Sequence, residues 1–185
     1  MKKLIFFLFL ILNFSNYSVA DNTDRNNLLN KLFKQLKNTK ILSSAEIIEG
    51  KIWKIWSKHP TQDILTNALA IGVKLMNSGE LVLAYNIFSN IVEKEPDWAE
   101  GWNKRATVLF LMNKYQSSLE DIKETLIREP RHFGALSGQG LVYIQLGQYE
   151  KAINSYKAAQ KIYPTIDAAK KMIPQLQELI NNQAV

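Results

Sequence analysis

From residue 65 onwards the apolar positions fall on helical stripes broken by regular stops. Trp102, Ala106 and Leu109 share one face, as do Leu136, Gly140 and Tyr143, and then Ala152, Tyr156 and Ala159. Spacings of three and four mark amphipathic helices. The stripes also recur at a fixed interval. Pro96, Pro130 and Pro164 stand 34 residues apart, and the same interval joins Gly72, Ala106 and Gly140; Gly79, Asn113 and Gly147; Leu81, Tyr115 and Tyr149; Ala84, Ser118 and Ala152; and Phe88, Ile122 and Tyr156. A period of this length is the signature of stacked supersecondary units, each too small to bury its own apolar face.

Each column has a mechanical reason. The Gly79, Asn113 and Gly147 column holds residue types that accept a left-handed backbone just past a helix, so it predicts the end of a first helix. The proline column predicts the end of a second. Small residues at Gly72, Ala106 and Gly140, and at Ala84, Ser118 and Ala152, let two helices approach closely, while the aromatic column fills the space beside them. Each unit is therefore expected to be an antiparallel helix pair. Ser118 stands in a column otherwise occupied by alanine, so Ser118→Ala is expected to be neutral or stabilising.

The flanks are less regular, as the ends of a stacked array must be. Residues 21–27 are polar and are expected to be mobile. Leu28, Leu29, Leu32, Phe33 and Leu36 form one helical face, and Ser43 with Glu46 reads as a capping box that opens a helix through Ile47, Ile48, Ile52, Ile55 and Trp56. Residues 28–64 thus predict a degenerate helix pair covering the first repeat. Beyond the array, Ile166, Met172, Ile173, Leu176 and Ile180 predict a capping helix over 167–185, kinked or broken near Ala169 to Lys171 by Pro174.

These residues resemble the tetratricopeptide repeat, whose pattern runs from a Trp-type position through Leu-Gly, Tyr, Ala and an aromatic to Pro over 34 residues. The repeats would be Leu65 to Trp98, Ala99 to His132 and Phe133 to Ile166, with Arg105 and Gln139 at a normally apolar position. The whole is similar to signal-bearing proteins of this family from Gram-negative bacteria. The resemblance implies an all-α fold, a right-handed superhelix of antiparallel helix pairs, whose first helices line a concave groove. Carried over position by position, the groove would include Asn103, Thr107 and Phe110 from the second repeat and Ser137, Leu141 and Gln145 from the third. This mixture suits a peptide with apolar anchors and backbone hydrogen bonds, unless a terminal helix fills the groove. The carboxylate clamp of chaperone-binding relatives would be incomplete, since Gly134 and Gly138 stand where it uses basic residues.

Three other constellations carry a possible chemistry. Arg105, Arg131 and His132 read either as an anion site or, the favoured reading, as structural groups whose arginine stem packs while its guanidinium bonds inter-repeat carbonyls or Glu129. His59, just before Pro60, reads as a helix-end residue. Trp53 and Trp56 share a short helix with Lys51, Lys54 and Lys58, and read either as a patch for a partner or an anionic envelope surface, or as the staple holding the N-terminal pair to the first repeat. The staple is favoured.

Composition narrows the function. No cysteine and only two histidines leave little for a metal site, a redox pair or a histidine-based catalyst, so neither a cofactor nor an enzymatic activity is expected. Lys2 and Lys3, the nine apolar residues Leu4 to Leu12 and the small residues Ser18 and Ala20 have the layout of a secretory signal peptide over 1–20. At about 1.5 Å per residue the apolar run is short of a hydrocarbon core, which predicts cleavage between Ala20 and Asp21 and a periplasmic or secreted protein. Residues 21–185 carry 21 basic and 17 acidic side chains, a net of +4. That mild excess lacks the dense basic stripe of a nucleic-acid binder. The reading favoured is an exported scaffold that binds a protein or peptide during envelope assembly or maintenance. The alternative is a structural or self-associating protein that uses its Trp-rich N-terminal pair, and a membrane surface is the less favoured partner.

Overall fold

The computed structural model describes residues 23–183, so the signal-peptide reading of 1–20 lies outside the described residues. Among those described, the regular elements are all helices. They are α1 (23–38), α2 (Leu42–Trp56), α3 (Asp63–Asn77), α4 (Leu81–Lys94), α5 (Ala99–Leu111), α6 (Tyr115–Arg128), α7 (Phe133–Gln145), α8 (Tyr149–Ile162) and α9 (Asp167–Gln183). The pairs α3/α4, α5/α6 and α7/α8 stack in order, and α9 packs on α8.

The stops are where the columns put them. Gly79, Asn113 and Gly147 have φ of 83°, 59° and 68°, and each closes the first helix of a pair. Glu95, Glu129 and Tyr163, with ψ of 69°, 89° and 86°, leave the helical region and end the second helices directly before the three prolines. The small columns serve close approach: a Cβ on Gly140 would lie 2.7 Å from the Tyr156 ring. Ala84, Ala152 and Ala159 are fully buried.

Arg105 and Gln139 occupy one column, and the structure shows what the departure from an apolar residue does. In the first pair the matching positions hold Ile71, which is exposed, and Ile87, which packs on the core of that pair. In the second, Arg105 donates from Nε and Nη2 to the Asp121 carboxylate at 2.6 and 2.7 Å. In the third, Ser155 donates to the Gln139 side-chain oxygen at 2.9 Å. Two different polar pairings therefore fill the same two positions in the second and third repeats. The expected partner Glu129 is instead bound by Arg131, at 2.8 and 2.9 Å.

The flanks differ from expectation in four respects. The described residues are helical from 23 onward, within the segment expected to be mobile. Leu42 opens α2 with Ile41 as its cap residue and no side-chain cap bond, so Ser43 and Glu46 form no capping box. Pro174 lies inside a continuous α9, so the helix is not broken there; the proline withdraws its N–H bond from the carbonyl of Lys170, one turn back and exposed to water. The largest difference is the position of the N-terminal pair. Leu29, Leu32, Phe33 and Leu36 of α1 and Ala45, Ile52 and Trp56 of α2 share a core with Phe133, Leu136, Tyr156 and Tyr163 of the third pair and with Leu176 of α9. The core of the first pair, around Leu65, Leu69, Ala84 and Phe88, is separate. The N-terminal hairpin therefore folds over the third repeat instead of covering the first, leaving Ile64 and Ile71 of α3 at 74% and 55% exposure.

Candidate interaction groove

The concave face is lined by the first helices α3, α5 and α7, and the hairpin occupies its side nearest the loop between α6 and α7. Trp53 enters over α7 because residue 134 is glycine: a Cβ there would lie 2.6 Å from the tip of the indole. Trp56 stacks on His132 with ring centres 4.1 Å apart and planes at 9°, and Phe133 closes the cluster against both tryptophans. Lys104 sits 5.1 Å above the Trp53 ring. Polar contacts fix the same register. Glu49 accepts from the Trp53 indole N–H at 3.1 Å and from the Tyr163 hydroxyl at 3.0 Å, and Arg131 donates to Asn30 at 2.6 Å. Burial, with Glu49 beside it, pushes the Tyr163 phenol up to about 12, so it remains a donor.

Beneath the tryptophans lies a buried polar network. His132 caps α7 by accepting the Ala135 N–H at Nδ1, 3.0 Å, which leaves its ring proton on Nε2 facing Glu100 at 3.1 Å. Lys104 approaches the other Glu100 oxygen at 3.0 Å. Burial works to raise the Glu100 carboxyl, but the His132 bond and the Lys104 ammonium outweigh it and hold it below the usual carboxylate range. Neither His132 nor Glu100 is open to solvent. Arg105 lies elsewhere, on Asp121, so the three residues weighed as an anion site are divided among separate pairs. His59 follows α2 and prepares α3, accepting the N–H groups of Thr61 and Gln62 at Nδ1.

The groove residues expected from the sequence divide in two. Asn103 is buried and donates its amide to Glu100 at 3.2 Å, so its polar group belongs to the network. Asn103 still borders a pocket of about 230 Å3 between α5 and α7, which Thr107, Phe110, Ser137 and Leu141 also line and Ala106, Ala135 and Val142 floor. The Thr107 and Ser137 hydroxyls donate to the Asn103 and Phe133 carbonyls at 2.9 Å each. Their hydrogens are committed, and their oxygen lone pairs remain to accept. Gln145 lies at the far end of α7, 3.5 Å from the Tyr115 hydroxyl, and does not line this pocket. Among the described residues no three His, Cys, Asp or Glu side chains come close enough to hold a metal ion. The hairpin's place was not readable from the sequence, although Gly134, a groove position without a side chain, was the trace it left.

Comparison with known proteins agrees with this architecture. The family model of the tetratricopeptide repeat (TPR) matches residues 134–166. A TPR repeat-containing protein of Rhizobium etli is 31% identical over 150 residues, covering 81% of this chain and 73% of that one. The chain belongs to the TPR proteins. Among solved structures, the first TPR of Spaghetti (RPAP3), bound to an HSP90 peptide, superposes with a TM-score of 0.61 at 16% identity over 63% of this chain and 93% of that one. The type III secretion chaperone SycD of Yersinia enterocolitica, in complex with a peptide of the translocator YopD, gives 0.60 at 12% identity over 69% and 100%. These likenesses show the TPR fold, with its right-handed superhelix. In this TPR chain part of the concave face is covered by the chain's own N-terminal hairpin.

Proposed function

We propose that this TPR protein is an exported scaffold that holds a segment of a partner protein in the pocket between α5 and α7, in envelope assembly or maintenance, and catalyses no reaction. The pocket carries the reading. Its lining is mostly apolar, it stays open beside the hairpin, and its two hydroxyl oxygens are placed to accept from a peptide backbone. A pocket of this size takes one or two apolar side chains, not a long extended peptide. The peptides held by Spaghetti and SycD make the same fold a precedent for such binding.

The test is site-specific photo-cross-linking in the exported compartment. A photoreactive residue at Leu141, which is 43% exposed, should give a discrete adduct with a partner. The same group at the exposed Ile127 on α6 should not. Leu141→Glu should remove the partner from ordinary pull-downs. Equal labelling from both positions, or none from Leu141, contradicts the groove reading. For export, the intact mass should correspond to a chain beginning at Asp21, and a retained Met1 contradicts it. In the self-association alternative, the N-terminal helix pair or the C-terminal helix would dock on another copy through surfaces other than the Trp53 and Trp56 rings, which pack on His132 and Phe133.

A further inference from the structure

We infer that the outer face of the α1–α2 hairpin is a docking surface for an anionic lipid bilayer. The hairpin has two faces of opposite character. Its inner face, with Leu29, Phe33, Leu36, Ile52, Trp53 and Trp56, is spent on the third repeat. Its outer face concentrates the positive charge of the molecule. Residues 23–60 hold eight basic and three acidic side chains, whereas residues 61–185 hold thirteen of each. The net charge of the folded array past the hairpin is therefore zero, and the excess resides on one element.

That charge is arranged around exposed apolar surface. Lys51, Lys54 and Lys58 rim a cleft of about 530 Å3 between the two helices, floored by Leu28, Leu32 and Ile55. Among the described residues, Asp24 is the one carboxylate that lines it. Leu28 is 49% exposed, and Ile47, one turn before Lys51 on the same face of α2, is 61% exposed. None of the three lysines forms an ion pair with a described residue. Basic side chains interleaved with aliphatic ones on a helical surface are the composition of elements that lie in a headgroup layer, where apolar groups enter the acyl boundary and ammonium groups meet lipid phosphates.

The choice of cation decides between a bilayer and an acidic protein. Protein interfaces are enriched in arginine, whose planar fork holds carboxylates in fixed geometry, and depleted in lysine. Here all seven lysines of the hairpin are exposed, while its single arginine, Arg25, donates to the Ile55 carbonyl at 2.9 Å. Mobile point charges without a fixed fork suit a fluid, geometry-free layer of phosphate. This surface is separate from the groove pocket and stands or falls without it.

The experiment is co-sedimentation of the chain lacking residues 1–20 with vesicles of phosphatidylcholine, alone or mixed with phosphatidylglycerol. Binding is expected only to the mixed vesicles and should weaken steeply with salt. At roughly five-fold per lysine, the triple variant Lys51→Gln, Lys54→Gln, Lys58→Gln should bind on the order of a hundred-fold more weakly, with an unchanged melting temperature because these side chains are exposed. Ile47→Ser should weaken binding by a smaller factor. No binding to the mixed vesicles, equal binding to neutral ones, or full binding by the triple variant overturns the proposal. So does a triple variant that loses an acidic protein partner when neither it nor the parent chain binds lipid.

Discussion

Trp53 lies against Gly134, with the tip of its indole where a side chain at 134 would begin. The contact joins α2 to the groove of the third repeat and depends on one absent Cβ. Gly134→Leu should therefore displace the indole, cost about 1–3 kcal/mol through overpacking, and raise hydrogen exchange in α1 and α2 while leaving α3 and α4 protected. Uniform loss of protection across the chain would show that the contact is not local.

The small columns divide into two kinds. Gly140→Leu should cost about 1–3 kcal/mol or more, because the Tyr156 ring already occupies the space. Ser118 differs from the sequence expectation: its hydroxyl donates to the buried Ala106 carbonyl at 2.8 Å, so Ser118→Ala should cost about 0.5–1.5 kcal/mol instead of being neutral. Denaturant midpoints of the two variants check both statements.

The Arg105 and Asp121 pair is mostly buried, with side chains 19% and 6% exposed. Asp121→Ala leaves the guanidinium without its partner and should cost about 1–3 kcal/mol. The double change Arg105→Ile with Asp121→Ile replaces both charges by the residue type that the first repeat has at these positions, Ile71 and Ile87, and should recover most of that loss. A double variant as unstable as the single one would show that the two positions do not act as a unit.

Stability should fall on mild acidification through His59. Burial, with the Arg25 charge adding to it, holds its imidazole below the ordinary 6.5 against the pull of Glu95, and its bare Nδ1 accepts two backbone N–H groups. A folded value lowered in this way contributes stability fully above about pH 6.5 and loses it as pH falls through the folded value. The Glu100 and Glu129 carboxyls, held low, act in a separate window, losing their contribution only below about pH 4.5. Between pH 7 and 5 the denaturant midpoint of the parent chain should therefore fall more than that of His59→Asn. Equal slopes would contradict the assignment.

The repeat was legible because its signals are local. A glycine or asparagine at the left-handed position, a proline after the second helix and a small residue under an aromatic each act within one helix pair. The hairpin's destination was not, because it is set by long-range contact: Trp56 meets His132, and Glu49 meets Tyr163, more than a hundred residues away. An amphipathic helix announces that it will bury one face, and nothing in its own spacing says against which repeat. The same limit explains Asn103, a groove position by register whose amide is claimed by Glu100, itself held by a histidine from the next repeat.

The N-terminal hairpin lies in the groove of the third repeat and does not cap the first. Proton contacts from the Trp53 and Trp56 indoles, measured by nuclear Overhauser spectroscopy in solution, test it most directly. The fold predicts contacts from Trp53 to the Gly134 α-protons and from Trp56 to the His132 ring. Contacts from both indoles to Ile64 and Ile71 on the outer side of α3, with none to α7, would contradict it.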